Sequence, residues 1–102
     1  MKPLEISEPA QREIIDAAAR YELECQGLAV RFLAAISEAY GRIERHPRLF
    51  SHFKNTKYRK CFVKRFPYKV YFLEKHDAIW VGAVAHQKRR EGYWLDRESA
   101  DE

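Results

Sequence analysis

No stretch of this chain runs to eighteen or more apolar residues, which leaves no segment for a membrane-spanning helix. The opening "MKPLEISEPA" lacks the apolar core of a secretory signal, so the expected location is the cytoplasm. Cysteine is scarce. Cys25 and Cys61 are too few for a disulfide scaffold, and both are expected to be reduced, buried, small apolar residues. No internal repeat, low-complexity tract or linker breaks the 102 residues, which suits one domain over 1–102 with an acidic tail at about 98–102. His46, His52 and His76 stand singly, without metal-ligand spacing, so no metal and no other cofactor is expected. A further absence concerns charge. Between Arg45 and Leu73 there are nine Lys and Arg and no acid at all.

What is present begins with enough apolar material to fold, 46% hydrophobic and 14% aromatic. The formal net charge of +4 hides a strong segregation. Residues 1–40 hold four Lys/Arg against seven Asp/Glu, residues 41–90 fourteen against three, and residues 91–102 one against five. Like charges crowded in this way repel one another, so the pattern points to an anionic partner: nucleic acid, ribosome or an acidic protein.

The chain divides into a helical half and a strand-rich half. "PLEIS" (3–7) alternates weakly and suits a short edge strand. Ser7 is a candidate N-cap, with Glu8 and Pro9 in the first turn of a helix. Ala10, Ile14, Ala18, Tyr21 and Cys25 recur at helical spacing, and Gly27 ends or bends the run. Leu28, Phe32, Ile36, Ala39 and Ile43 form a second stripe, stopped at His46–Pro47. So short a break predicts an antiparallel helix hairpin. Residues 47–57 show no clear period and are expected to be loop. "YRKCFVKRF" (58–66), "YKVYFLEK" (68–75) and "AIWVGAVAH" (78–86) are rich in β-branched and aromatic residues and predict a three-stranded antiparallel meander. The expected fold class is α+β: a short N-terminal strand and a helix hairpin packed on a three- to four-stranded antiparallel sheet. On that scaffold the helices cover one sheet face and leave the other, with its cations, open to a partner.

"AVAHQKRREGYW" (83–94) closes the strand-rich half and is unusual for a core or a plain loop. His86, Lys88, Arg89 and Arg90 leave the end of the last strand, followed by Tyr93 and Trp94. Lys64, Arg65 and Lys69 flank the turn between the first two strands of the meander. Antiparallel neighbours whose ends meet would gather both groups at one rim, where cations bind phosphate and the rings stack or fill a protein groove. With Arg59 on the first strand, these are the candidate target- or phosphate-binding residues.

Four segments in order, "AQREIIDAAARYE", "GLAVRFLAAISEAYGRIERHP", "YRKCFVKRFPYKVYF" and "AVAHQKRREGYWLDR", resemble the RelE/ParE superfamily, the toxins of type II toxin–antitoxin systems of the plasmid-stabilisation type. The resemblance spans roughly residues 10–97. It implies a small basic protein that inhibits growth and is silenced by a cognate acidic antitoxin. Members divide by target: RelE-like toxins cleave mRNA on the ribosome, whereas ParE-like toxins inhibit DNA gyrase and are not nucleases.

RNA cleavage needs a base for the ribose 2′-OH, cations for the phosphorane charge and a proton for the leaving oxygen. The resemblance places the nuclease's strand cations near Lys69 and Lys88 and its C-terminal tyrosine near Trp94, unless Tyr93 substitutes. Lysine lacks the planar fork of arginine, and indole cannot exchange the proton. If the chain is a ribonuclease, its catalytic residues are His86 for proton transfer, Arg90 for phosphate charge and Tyr93 as a second acid. Because those positions match badly, the reading favours a ParE-like inhibitor of gyrase. The alternative is a RelE-like, ribosome-dependent endoribonuclease acting on mRNA. A non-toxic nucleic-acid-binding module is the remote third, since no aromatic RNA platform or recognition-helix pattern appears.

Overall fold

The computed structural model describes residues 1–98; residues 99–102, most of the expected acidic tail, lie outside that description. Strand β1 (Leu4–Ile6) leads into α1 (Glu8–Glu24), which turns back through α2 (Leu28–Arg45). After a 3-10 turn at Pro47–Leu49, within the stretch expected to be loop, come β2 (Arg59–Phe62), β3 (Tyr68–Glu74) and β4 (Ile79–His86). The β2 strand is shorter than the expected 58–66, because the chain leaves the ladder for the turn at 64–67, where Arg65 takes a φ of +71°.

Ser7 starts α1 as expected. Its Oγ accepts from the Ala10 N–H at 3.3 Å, and Pro9 lies in the first turn, where a missing N–H costs nothing. The hairpin turn contains Gly27 at φ +87°, a conformation that a side chain would strain. Gly27 has no side chain with which to cap α2. Glu22 of the preceding helix does this instead, accepting from Gly27 N at 3.0 Å and Ala29 N at 3.1 Å. Those backbone donors hold the Glu22 carboxyl below the usual carboxylate range.

The sheet order is β1-β4-β3-β2. β2–β3 and β3–β4 are antiparallel, as the meander predicts, but β1 runs parallel to β4, with Leu4 opposite Ile79. The sheet is therefore mixed, not wholly antiparallel. The reason is topological: two helices separate β1 from the meander and return the chain to the same end of the sheet. The β3–β4 register slips where Tyr71 pairs with Ala83 and Phe72 with Val81, leaving Gly82 between them. A Cβ at Gly82 would lie 2.8 Å from Trp80 and 3.1 Å from Tyr58, so the bulge admits only glycine without displacing an aromatic ring.

One core lies between the helix hairpin and the sheet. Phe32, Ile36, Ala39 and Ile43 of α2 meet Val70, Phe72, Val81 and Val84, all buried. The opposite sheet face, expected to be open, carries a second core: Phe53, Tyr58, Tyr71, Leu73, Trp80, Ala83, Ala85 and Trp94. Aromatic side chains on β3 and β4 demand cover, and the 46–58 connection and the segment after β4 provide it. Cys61 is buried as expected, whereas Cys25 is exposed. Cys25 sits past the last turn of α1, with extended backbone, and so falls off the helical stripe that its spacing suggested.

Candidate functional site: a cationic rim at the end of the sheet

Tyr68 opens β3 directly opposite His86, which closes β4, and Gln87 N donates to Pro67 O at 2.8 Å. The β2–β3 turn and the chain leaving β4 therefore lie side by side, and the expected rim forms. It brings Lys64, Arg65, His86, Lys88, Arg89 and Arg90 to one end of the sheet. Lys64, Arg65, Lys88, Arg89 and Arg90 are exposed. Among the described residues, Arg65, Lys88 and Arg90 have no ion-pair partner, while Lys64 lies 3.6 Å from Glu38.

Other candidates are committed inside the molecule. Arg59 donates to the Phe50 carbonyl at 2.6 Å and to the Arg48 carbonyl at 3.3 Å, fastening the connection after α2 to β2. Lys69 lies 3.4 Å from Glu91 and 5.6 Å from the Phe62 ring centre, its side chain only 15% exposed. Glu91 also accepts from the Tyr71 hydroxyl at 3.2 Å. Burial pushes the Glu91 carboxyl up, but Lys69 and Tyr71 more than offset it and the carboxyl ends below the usual range. Trp94, expected at the target surface, is fully buried. Its ring packs 4.1 Å from Tyr71, 4.5 Å from Tyr58 and 5.1 Å from Phe53, because the second sheet face needs a large apolar cover.

The two proton-transfer candidates differ in freedom. His86 Nδ1 accepts from the Lys88 N–H at 3.0 Å, so the ring proton resides on Nε2, and the ring stands edge-on to Tyr68. The Tyr93 hydroxyl donates to Glu13 of α1. Burial first, then Glu13, raises the Tyr93 pKa far above that of a free phenol. A phenol so held stays protonated near neutrality, with its proton committed to Glu13. The hollow between Lys69, Tyr71, His86, Arg90, Glu91 and Trp94 has no room for a water-sized ligand.

The residues missing from the sequence reading are acids and their partners. Glu13, Glu91 and Arg97 organise the segment after β4, yet each lies in a mixed-charge stretch with no motif of its own. A small hollow of about 100 Å³ lies beside His86, among Glu13, Asp16, Arg20, Tyr68, Arg89 and Tyr93, and a larger cleft of about 530 Å³ lies between α2 and the β2–β3 turn, lined by Leu28, Ala34, Ala35 and Phe66 together with Arg31, Lys64, Arg65 and Glu38. Among the described residues no group of three or more His, Cys, Asp or Glu could hold a metal ion, and no helix is long and apolar enough to cross a membrane.

Residues 4–91 match the model of the family described as the ParE toxin of the type II toxin–antitoxin system, parDE. The fold is similar to a chain of the solved structure titled "Chromosomal ParDE TA system from P. aeruginosa", with a TM-score of 0.65 at 13% identity, covering 84% of this chain and 96% of that one. No curated protein sequence matches the chain. With most of its length inside the family match and its architecture shared, the chain belongs to the ParE toxin family and is a ParE-like toxin of a type II toxin–antitoxin system, a family that implies a cognate antitoxin as its partner.

Proposed function

We propose that this toxin inhibits growth by binding DNA gyrase through the rim of Arg65, His86, Lys88, Arg89 and Arg90, and does not cut RNA. The observation that carries this reading is the filled hollow beside Lys69, which has no room for a water-sized ligand. Lys69, where the resemblance places one of the nuclease's strand cations, is taken up by Glu91, which also holds Tyr71; Trp94 is in the core, and Tyr93 is bound to Glu13. Tyr93, the second acid expected beside His86, gives its proton to Glu13 instead, whereas the exposed cations suit a protein surface.

Silencing follows from the cleft along α2. Its apolar lining, with three cations against one acid, Glu38, fits an amphipathic, acidic segment of the antitoxin, apolar side chains supplying affinity and charge supplying orientation and rate. The antitoxin is expected along an open sheet face and the helix hairpin; the second core already occupies that face, which leaves the hairpin, where this cleft lies.

The test is a gyrase supercoiling assay run beside cleavage of ribosome-bound mRNA. Inhibited supercoiling with intact mRNA is expected. His86→Gln should leave inhibition nearly unchanged, and Arg89→Ala with Arg90→Ala should weaken it. mRNA cleavage that His86→Gln reduces about a hundredfold or more would establish the nuclease and overturn this reading.

A further inference from the structure

The geometry points to Glu13, on α1, as the residue that positions the C-terminal segment for target binding. Beyond Val81, β4 has outgrown its three-residue neighbour β1, and its outer edge needs other partners. Glu13 supplies one, its Oε1 accepting from Val84 N at 2.9 Å. The same carboxylate receives Arg97 in two-point contact, at 3.0 Å to Oε1 and 3.2 Å to Oε2, and Arg97 also donates to the Gly82 carbonyl at 3.0 Å. The Tyr93 hydroxyl donates to Oε2. Arg89 Nη1 lies 3.7 Å from that oxygen, and the Arg89 guanidinium rests over the Tyr93 ring at 3.6 Å.

These contacts form a chain of support. Glu13 fixes the Tyr93 ring, and the ring supports Arg89 from below, next to exposed Arg90. Arg97 lies 5.0 Å from the same ring, so two guanidinium groups that share one counterion both approach the Tyr93 ring. The Glu13 side chain is only 14% exposed, which keeps the ion pair partly desolvated and its geometry specific. Without the carboxylate, Arg97 loses its ion-pair partner and Tyr93 its anchor. The Arg89–Arg90 pair then becomes a mobile charge rather than a placed one. Trp94 and the Lys69–Glu91 contact would still hold the segment to the sheet, so the expected loss is of placement rather than of fold.

This role rests on the rim being the target contact, and the experiment separates the two ideas. Glu13→Gln is the variant of choice, because its amide oxygen still accepts from Val84 N while the charge is gone. On the full-length toxin, amide hydrogen exchange over 87–98 should quicken about tenfold or more, with β3 and β4 protected as before. Gyrase inhibition should weaken about tenfold, as for Arg89→Ala with Arg90→Ala, while antitoxin affinity stays within about twofold. A merely structural residue would lower both affinities together. If Glu13→Gln lowers protection throughout the sheet, Tyr93→Phe, which removes one hydroxyl, carries the test with the same readings. Loosened exchange with undiminished inhibition, or no change in either, overturns the inference. Weakened inhibition in Glu13→Gln beside full inhibition in the Arg89/Arg90 variant upholds Glu13 as a positioning residue and removes the two arginines from the target contact.

Discussion

Replacing Trp94 with alanine removes a fully buried ring from among Phe53, Tyr58 and Tyr71, and should destabilise the fold by about 3–5 kcal/mol. Trp94→Phe should cost less, since the indole Nε1 is buried with no hydrogen-bond partner among the described residues and phenylalanine removes that unmet donor. Urea unfolding of the two variants measures the difference. A milder Trp94→Ala than Trp94→Phe would mean the ring is not core. The cysteines make a second pair of opposites. Burial pushes the Cys61 thiol up, so a thiolate-selective alkylating reagent should spare it in the native protein and modify exposed Cys25 first. Cys25→Ala should change stability by no more than about 0.5 kcal/mol, whereas Cys61→Ala should cost on the order of 1 kcal/mol or more. Mass spectrometry after timed alkylation checks the first statement and urea unfolding the second.

The helix hairpin shows how one element depends on a group in another. Glu22 closes α1 and caps α2, and its carboxyl is held down first by the Gly27 N–H and then by the Ala29 N–H. A carboxylate whose folded pKa is depressed contributes stability that is complete above the ordinary glutamate value of 4.5 and lost as pH falls through the lower folded value. Glu22→Ala should therefore lower the melting temperature and speed amide exchange at the start of α2 at pH 7, and its effect should shrink as the pH falls below the ordinary carboxylate range and the native carboxyl takes up its proton. An effect that stays constant as the pH falls would exclude the cap. Periodicity made both helices legible, since Phe32, Ile36, Ala39 and Ile43 keep a strict spacing and all reach the core. The strands were legible by composition, but the direction of β1 was not: three residues carry no mark of parallel or antiparallel pairing. Nor could spacing show that Cys25 leaves the helix before its side chain can turn inward. The rim was legible because turn and strand end are adjacent in any antiparallel meander. Which cations stay free was not, because Lys69 and Arg59 are occupied by Glu91 and by carbonyls far away in sequence.

At the scale of the molecule, charge is sorted by region, with residues 41–90 strongly basic and residues 1–40 and 91–102 acidic. The exposed basic surface should steer an acidic antitoxin, so its association rate should fall steeply between about 50 and 500 mM salt, as the screening length shrinks from about 14 to about 4 Å, while dissociation changes little. Stopped-flow mixing at several ionic strengths measures this, and an association rate indifferent to salt would refute it. The second core explains why a basic sheet face is not the docking surface it resembles in sequence: aromatic residues of β3 and β4 sit between the cations and recruit the chain's own C-terminal segment. The fold also closes on itself late. Ser7 donates its N–H to Val81 and its Oγ to Gly82, 75 residues onward. On the ribosome, then, the hairpin emerges with no sheet beneath it, and β1 waits unpaired until β4 has been made. A nascent or truncated chain cannot assemble the rim, so a toxin that acts through it would be held back by translation itself until the last strand and the segment after it are free, an interval in which a co-produced antitoxin has time to arrive.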